Sequence, residues 1–241
     1  MTDWYVGCSG FHYKHWRGTF YPEKLPSTKW FDYYCQHFNT LELNVTFYRF
    51  PRLPAMKNWH DISPANFQFA VKVPKAITHF KQFNGVTGML SDFYRTTREG
   101  LQDKLGCVLF QMSPRFIYKE ERLEKILSNL DNSFLNVLEF RHPSWWNDTV
   151  YQALASNNIS FCGMSHPELP REAIINTPLF YYRFHGENEL YGSNYPQEQL
   201  KDFAQSITAR TEIQKAFIFF NNDINTFAPI NALHLKSLMP G

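Results

Sequence analysis

The chain has 241 residues, of which 44% are hydrophobic and 17% aromatic, with a formal net charge of +2. That composition excludes a disordered chain and supplies a large core, while so small a positive excess does not imply general nucleic-acid affinity. No apolar run approaches the roughly 18 residues of a membrane span, and Met1-Thr2-Asp3-Trp4 lacks the basic region and apolar core of a signal peptide, so a cytoplasmic protein with no membrane partner is expected.

Eight short apolar runs follow one another along the chain, at about 4–8, 40–45, 67–73, 107–111, 136–140, 159–163, 180–185 and 216–222. Several are rich in Val, Ile, Phe and Tyr, as strands covered on both faces are. Segments with helical spacing lie between them. Trp30, Phe31, Tyr34, Cys35 and Phe38 form the first stripe, with Ser27 as its expected N-cap. Leu123, Ile126, Leu127 and Leu130 form another, and a further helix is expected to start at Asn147-Asp148 and run through Val150, Leu154 and Ala155. Pro196 suits the first position of a helix whose apolar face is Leu200, Phe203, Ala204 and Ile207, and Leu233, Leu235 and Leu238 end the chain in a last helix. Strand then helix, eight times over, predicts parallel strands with right-handed crossovers. The expected fold is therefore α/β, one (β/α)8 TIM-like barrel over residues 1–241. An open doubly wound sheet is the alternative, but Gly7-Cys8-Ser9-Gly10 does not match its glycine-rich phosphate turn. Cys8, Cys35, Cys107 and Cys162 contain no CxxC pair and read as small buried hydrophobes.

Two links are longer than the ~2–6 residues usual after a barrel strand. Residues 9–26 and 185–195 both follow strands, so these long βα loops are expected over the C-terminal mouth, where lids and binding surfaces lie. The strand ends themselves carry polar residues at alternate positions: Glu42 and Asn44, Lys72, Gln111, Glu139 and Arg141, Arg183 and His185, then Asn221-Asn222-Asp223. Charges set in such apolar runs are costly to bury unless paired. Either they neutralise one another as a buried network or they line a wet pocket.

Lys72, Arg141 and Arg183 suit a phosphate or carboxylate group, with Asn44, Gln111, His185 and Asn221 orienting the ligand. Glu42 and Glu139 are the expected acid–base groups, as in hydrolysis or proton transfer. Glu42, Glu139, His185 and Asp223 could instead hold a divalent metal, but no HxH or HExxH pattern supports that, and no cofactor is predicted. His12, Tyr13, Trp16 and Tyr48 are placed as lid or stacking residues, against the alternative that the aromatic residues fasten a long loop to the rim. Trp145-Trp146 pose the same choice.

These segments resemble a known family. Gly7-Cys8-Ser9-Gly10-Phe11 with Tyr13, Trp16, Gly18 and Phe20-Tyr21-Pro22, the run Phe38 to Asn44 with Thr46-Phe47-Tyr48, and Phe69 through Pro74 carry part of the likeness. Leu109-Phe110-Gln111, Glu139-Phe140-Arg141-His142-Pro143-Ser144-Trp145, Arg183 with His185-Gly186, and Asn221-Asn222 carry the rest. Together they look like the DUF72, or YecE-like, family over nearly the whole chain. The resemblance implies a TIM barrel and places Glu42, Asn44, Lys72, Gln111, Glu139, Arg141, Arg183, His185 and Asn221 on motif positions. It implies no activity. Cys8 stands where Thr is usual, Phe11 where Trp is, Val45 where Ser is, and Ser113 where Pro is. The main reading is an enzyme or binding barrel for a small anionic ligand such as a phosphate, carboxylate or sugar phosphate. A nucleic-acid-binding or nucleic-acid-processing protein, motivated by the basic and aromatic 9–26 link, and a non-catalytic sensor or scaffold are the alternatives. The sequence leaves the oligomeric state open.

Overall fold

A computed structural model describes residues 2–240. Its eight strands are β1 Asp3–Cys8, β2 Thr40–Leu43, β3 Gln68–Lys72, β4 Leu105–Gln111, β5 Asn136–Glu139, β6 Ile159–Ser165, β7 Leu179–Phe184 and β8 Lys215–Phe220. They form one sheet in the order β1-β8-β7-β6-β5-β4-β3-β2. The first strand pairs in parallel with the last, Asp3 opposite Lys215 through Cys8 opposite Phe220. A parallel bridge between Ser9 and Glu42 joins the end of β1 to β2. Sequential order with first and last strands adjacent is the topology of a (β/α)8 barrel, and the fold is an α/β TIM-like barrel. Nearly every strand residue is buried, which explains why the strands read as continuous apolar runs rather than alternating ones.

Two compact units divide the chain: Met1–Glu42, Gly163–Ala173 and Pro178–Gly241 in one, Leu43–Cys162 with Ile174–Thr177 in the other. In the first unit, helix α1 (Trp30–His37) buries Trp30, Phe31 and Tyr34. Ser27 does not cap it. Pro26 leads instead into a tight 3-10 turn over Ser27–Lys29, where the Lys29 amide bonds the Pro26 carbonyl and the Trp30 amide the Ser27 carbonyl. Backbone tightening satisfies the entry amides that a side-chain cap would otherwise take. The Tyr34 hydroxyl reaches between β1 and β2, accepting from the Cys8 amide (2.9 Å) and donating to the Thr40 carbonyl (2.9 Å).

The 9–26 link is packed rather than loose: Trp16, Phe20 and Tyr21 are buried, and Tyr21 stacks on Trp30 at 4.9 Å. In the 185–195 link Gly186 has φ +105°, and a Cβ there would lie 2.1 Å from the Glu189 carbonyl oxygen, so the turn requires glycine. Helices α7 (Gln197–Thr208) and α8 (Phe227–Leu238) complete this unit, with Pro196 one position before α7, at its N-cap, rather than inside it. The β6–β7 connection holds no helix, contrary to a strict strand–helix alternation. Pro167, Pro170 and Pro178 remove amide donors through that stretch and disfavour the helical backbone before them.

The second unit carries the short α2 turn (Val45–Tyr48), α3 (Leu53–Ile62), α4 (Thr87–Leu101), α5 (Glu120–Asn129) and α6 (Asp148–Ser156). Asn147 caps α6 as expected, its side-chain oxygen accepting from the Val150 amide at 3.1 Å. Helices α3 and α4 cross so closely that a Cβ on Gly100 would lie 2.2 Å from the Met56 Cβ. A single π turn, Ala76–Phe80, follows β3, a rare conformation that is frequent at functional sites.

Candidate functional site

The first unit holds one polar cluster. Glu42, at the end of β2, is buried with both carboxylate oxygens engaged: Arg183 Nη2 donates to Oε1 at 2.6 Å and the Tyr181 hydroxyl to Oε2 at 2.6 Å. Arg183 Nη2 also reaches Ser9 Oγ at 3.3 Å. Tyr181 and Arg183 sit two apart on β7, so one strand presents both to the same carboxylate. His185 continues that series; it is buried, and its Nδ1 accepts from the Asn221 amide at 3.1 Å. The His166 ring lies 6.2 Å from it.

The 9–26 link is fastened beside this cluster at the turn after β8. Trp16 Nε1 donates to the Asp223 carboxylate, His15 Nε2 lies 3.0 Å from the other carboxylate oxygen, and Thr226 Oγ1 donates to the His15 carbonyl at 3.1 Å. Burial pushes the Asp223 carboxyl above its usual range, opposed by the Trp16 hydrogen bond and by His15. Tyr13 bonds the Ser9 carbonyl at 2.8 Å, and burial raises its phenol. Of the expected lid residues in this link, Trp16 is buried as an anchor, Tyr13 is half-buried, and His12 is exposed with its ring 4.8 Å from Trp30.

The second unit holds another cluster, richer in cations. Lys72 ends β3 at 7% exposure, and its Nζ sits 4.3 Å above the Phe47 ring. Thr46 Oγ1 ties the α2 turn to the same strand end, donating to the Lys72 carbonyl at 2.5 Å and the Leu43 carbonyl at 3.0 Å. Glu139 ends β5, opposite Gln111 in the β4–β5 register, and is ion-paired with the Arg141 Nε. Both are buried, Arg141 at 9% exposure. The Asn44 side-chain oxygen is buried and makes no hydrogen bond among the described residues.

His79, on the π turn, packs edge-on to Phe47 at 5.1 Å and bonds Thr78 Oγ1 at 2.9 Å. Its pKa is lowered, first by burial and then by Lys72, with Lys75 and Arg141 adding and Glu139 opposing. His79 and Lys75 are not among the residues the sequence points to, because an irregular turn carries no strand or helix period. Tyr181 was within reach of the same two-residue alternation that selects Arg183 and His185.

A separate groove of about 440 Å³ lies among Thr87, Tyr94, Arg98, Asn129 and Phe134. Arg98 stacks there on Phe134 at 3.7 Å, and Arg95 pairs with Asp92 and Glu99, so its charges are matched locally. Among the described residues no group of three or more His, Cys, Asp or Glu side chains is arranged to hold a metal ion, and no helix is long and apolar enough to cross a membrane.

Comparison with known proteins agrees with this architecture. YunF of Bacillus subtilis (strain 168), a UPF0759 protein, is 25% identical over 98% of this chain and 94% of its own length. YecE of Escherichia coli (strain K12), also UPF0759, is 27% identical over 47% of this chain and 42% of its own. The crystal structure of a DUF72 family protein from Thermotoga maritima MSB8 superposes with a TM-score of 0.88 at 29% identity, covering 97% of this chain and 98% of that one. One from Enterococcus faecalis V583 gives 0.84 at 20% identity over 98% and 94%, a likeness of fold. Residues 5–240 match the family described as "Protein of unknown function DUF72", and the chain belongs to that family.

Proposed function

We infer that the chain binds a small anionic ligand, a phosphate or carboxylate compound, at the strand-end cluster of its second unit. The observation that carries this reading is that Lys72, 7% exposed with its Nζ over the Phe47 ring, shares the strand-end cluster of this unit with half-buried Lys75 and the buried Arg141–Glu139 pair. Ammonium and guanidinium groups held together in this way suit a phosphate or carboxylate group. Asn44 and Gln111 lie at the ends of β2 and β4, where amides orient a bound group. Glu139, held by Arg141, is the acid–base group of this cluster. Separately, within the first unit, Arg183, His185 and Asn221 are the ligand-orienting groups of that unit's own cluster and Glu42, held by Arg183 and Tyr181, is its acid–base carboxylate.

The test is a titration with inorganic phosphate at fixed ionic strength. A ligand that binds only the folded state raises the melting temperature by mass action, so a saturable rise is expected in the native chain. Lys72→Met, which keeps most of the side-chain stem over Phe47, and Lys75→Gln, at a half-buried position, should each weaken it. No phosphate-specific rise, or a rise that both variants retain, overturns the reading.

The same titration has a second readout in His79. Its folded pKa lies below its unfolded one, so the folded state binds fewer protons. Its contribution to stability is full above the unfolded pKa and is lost as pH falls through the folded value. A bound anion cancels part of the cationic field, so phosphate should raise the His79 midpoint in an NMR titration and flatten the acid limb of the stability curve. An unchanged midpoint at saturating phosphate would place the anion elsewhere.

A further inference from the structure

We propose that the ligand of this cluster is a nucleoside monophosphate, its phosphate on the cations and its base stacked on Tyr48. The proposal rests on the anion reading above and adds what the lip of the cluster supplies. Tyr48 is 68% exposed and Phe80 is 73% exposed, although both are large aromatic residues on short, well-packed turns. Lys75 links them, its Nζ 5.2 Å from the Tyr48 centroid and 5.5 Å from the Phe80 centroid. Phe47 meets Tyr48 edge-on at 5.2 Å and carries Lys72 on its face at 4.3 Å. Buried cation, inner ring, outer ring and second cation therefore form one continuous series, and Lys72 and the Tyr48 ring are separated by about one intervening ring. That spacing suits a ligand with a phosphate at one end and a flat ring at the other.

The chemistry of the lip favours a base over a bare sugar phosphate. Val45, three residues before Tyr48 on the same turn, is 54% exposed, so Val45, Tyr48 and Phe80 offer apolar and π surface. A sugar ring brings hydroxyls that need hydrogen-bond partners, whereas a base presents a face that stacks without them. Tyr48 and Phe80 belong to separate segments, the turn after β2 and the π turn after β3, and Thr46 fixes the first to the strand end that carries Lys72.

The experiment measures binding of adenosine 5′-monophosphate, uridine 5′-monophosphate, ribose 5-phosphate, inorganic phosphate and adenosine to the full chain by isothermal titration. Both nucleoside monophosphates are expected to bind roughly tenfold more tightly than ribose 5-phosphate, in line with one stacked base. Tyr48→Leu should remove that advantage, weakening nucleotide binding about tenfold more than ribose 5-phosphate binding, and Tyr48→Phe should keep it. Both variants alter an exposed side chain, and an unchanged melting temperature checks that they fold. If ribose 5-phosphate binds as tightly as the nucleotides and Tyr48→Leu changes neither, the base site is wrong and the anion site stands. If adenosine binds as tightly as its monophosphate, or no anionic probe binds, the anion reading fails and this proposal falls with it.

Discussion

Replacing Arg183 with methionine is expected to cost about 3–5 kcal/mol of stability, because it leaves the buried Glu42 carboxylate without its cation. Arg183 Nη2 lies 2.6 Å from Oε1, and both side chains are almost wholly out of solvent. The Tyr181 hydroxyl at the other oxygen is a neutral donor and cannot replace the lost charge. Much of the loss comes from stranding a charge rather than from the worth of the pair, so removing the partners together should regain most of it. The triple variant Arg183→Met, Glu42→Leu, Tyr181→Phe is thus expected to be more stable than Arg183→Met alone. Urea unfolding at neutral pH makes the comparison. A single-variant cost under about 1 kcal/mol, the range of an exposed pair, would contradict the burial assigned to this cluster.

The second large effect is expected at Trp145. Its ring is fully buried between Phe140 (4.1 Å, 8° between planes) and Phe116 (5.5 Å, 4°), with Tyr118 edge-on at 5.1 Å. Its Nε1 donates to the Phe116 carbonyl at 2.6 Å. Trp145→Ala opens a cavity and leaves that carbonyl without its donor, for an expected loss of about 3–5 kcal/mol; Trp145→Phe keeps much of the stack and should cost markedly less. Phe140 lies between Glu139 and Arg141, so the stack also fixes the strand end that presents their ion pair. In the alanine variant the phosphate-induced rise in melting temperature should shrink together with the stability. Full stability in Trp145→Ala would show that this stack is not part of the core. By sequence this tryptophan suits either ligand stacking or fastening, and its zero exposure decides for fastening.

The strands were legible because parallel strands covered on both faces must be apolar throughout, so Val137-Leu138 or Phe217-Ile218-Phe219 stand out without any alternation to detect. Asn147 was legible because its cap is a local device, a side chain and an amide three residues on. Ser27 misled for the complementary reason. A serine before an apolar stripe is the usual sign of a cap, but Pro26 sets up a tighter turn that no spacing rule registers. The missing helix between β6 and β7 was announced only by its prolines, and the regular alternation elsewhere outweighed them. At the strand ends, two-residue alternation was enough to place Glu139, Arg141 and Arg183, which the structure buries and pairs there. It does not register Lys75 and His79, at the start of and on the π turn after β3, where no strand or helix period applies.

The seam beside β1 bears on how the chain is made. On one side this strand is stitched to its neighbour through the Tyr34 phenol and one bridge, both supplied by the first 42 residues. On the other side its full ladder waits for Lys215–Phe220, the last strand to leave the ribosome. Pairing across so long a stretch of chain is slow. Before that strand is made, the ties of β1 described above are the short-range ones to β2, and its other edge presents unpaired backbone groups, the kind of edge that another chain can pair with.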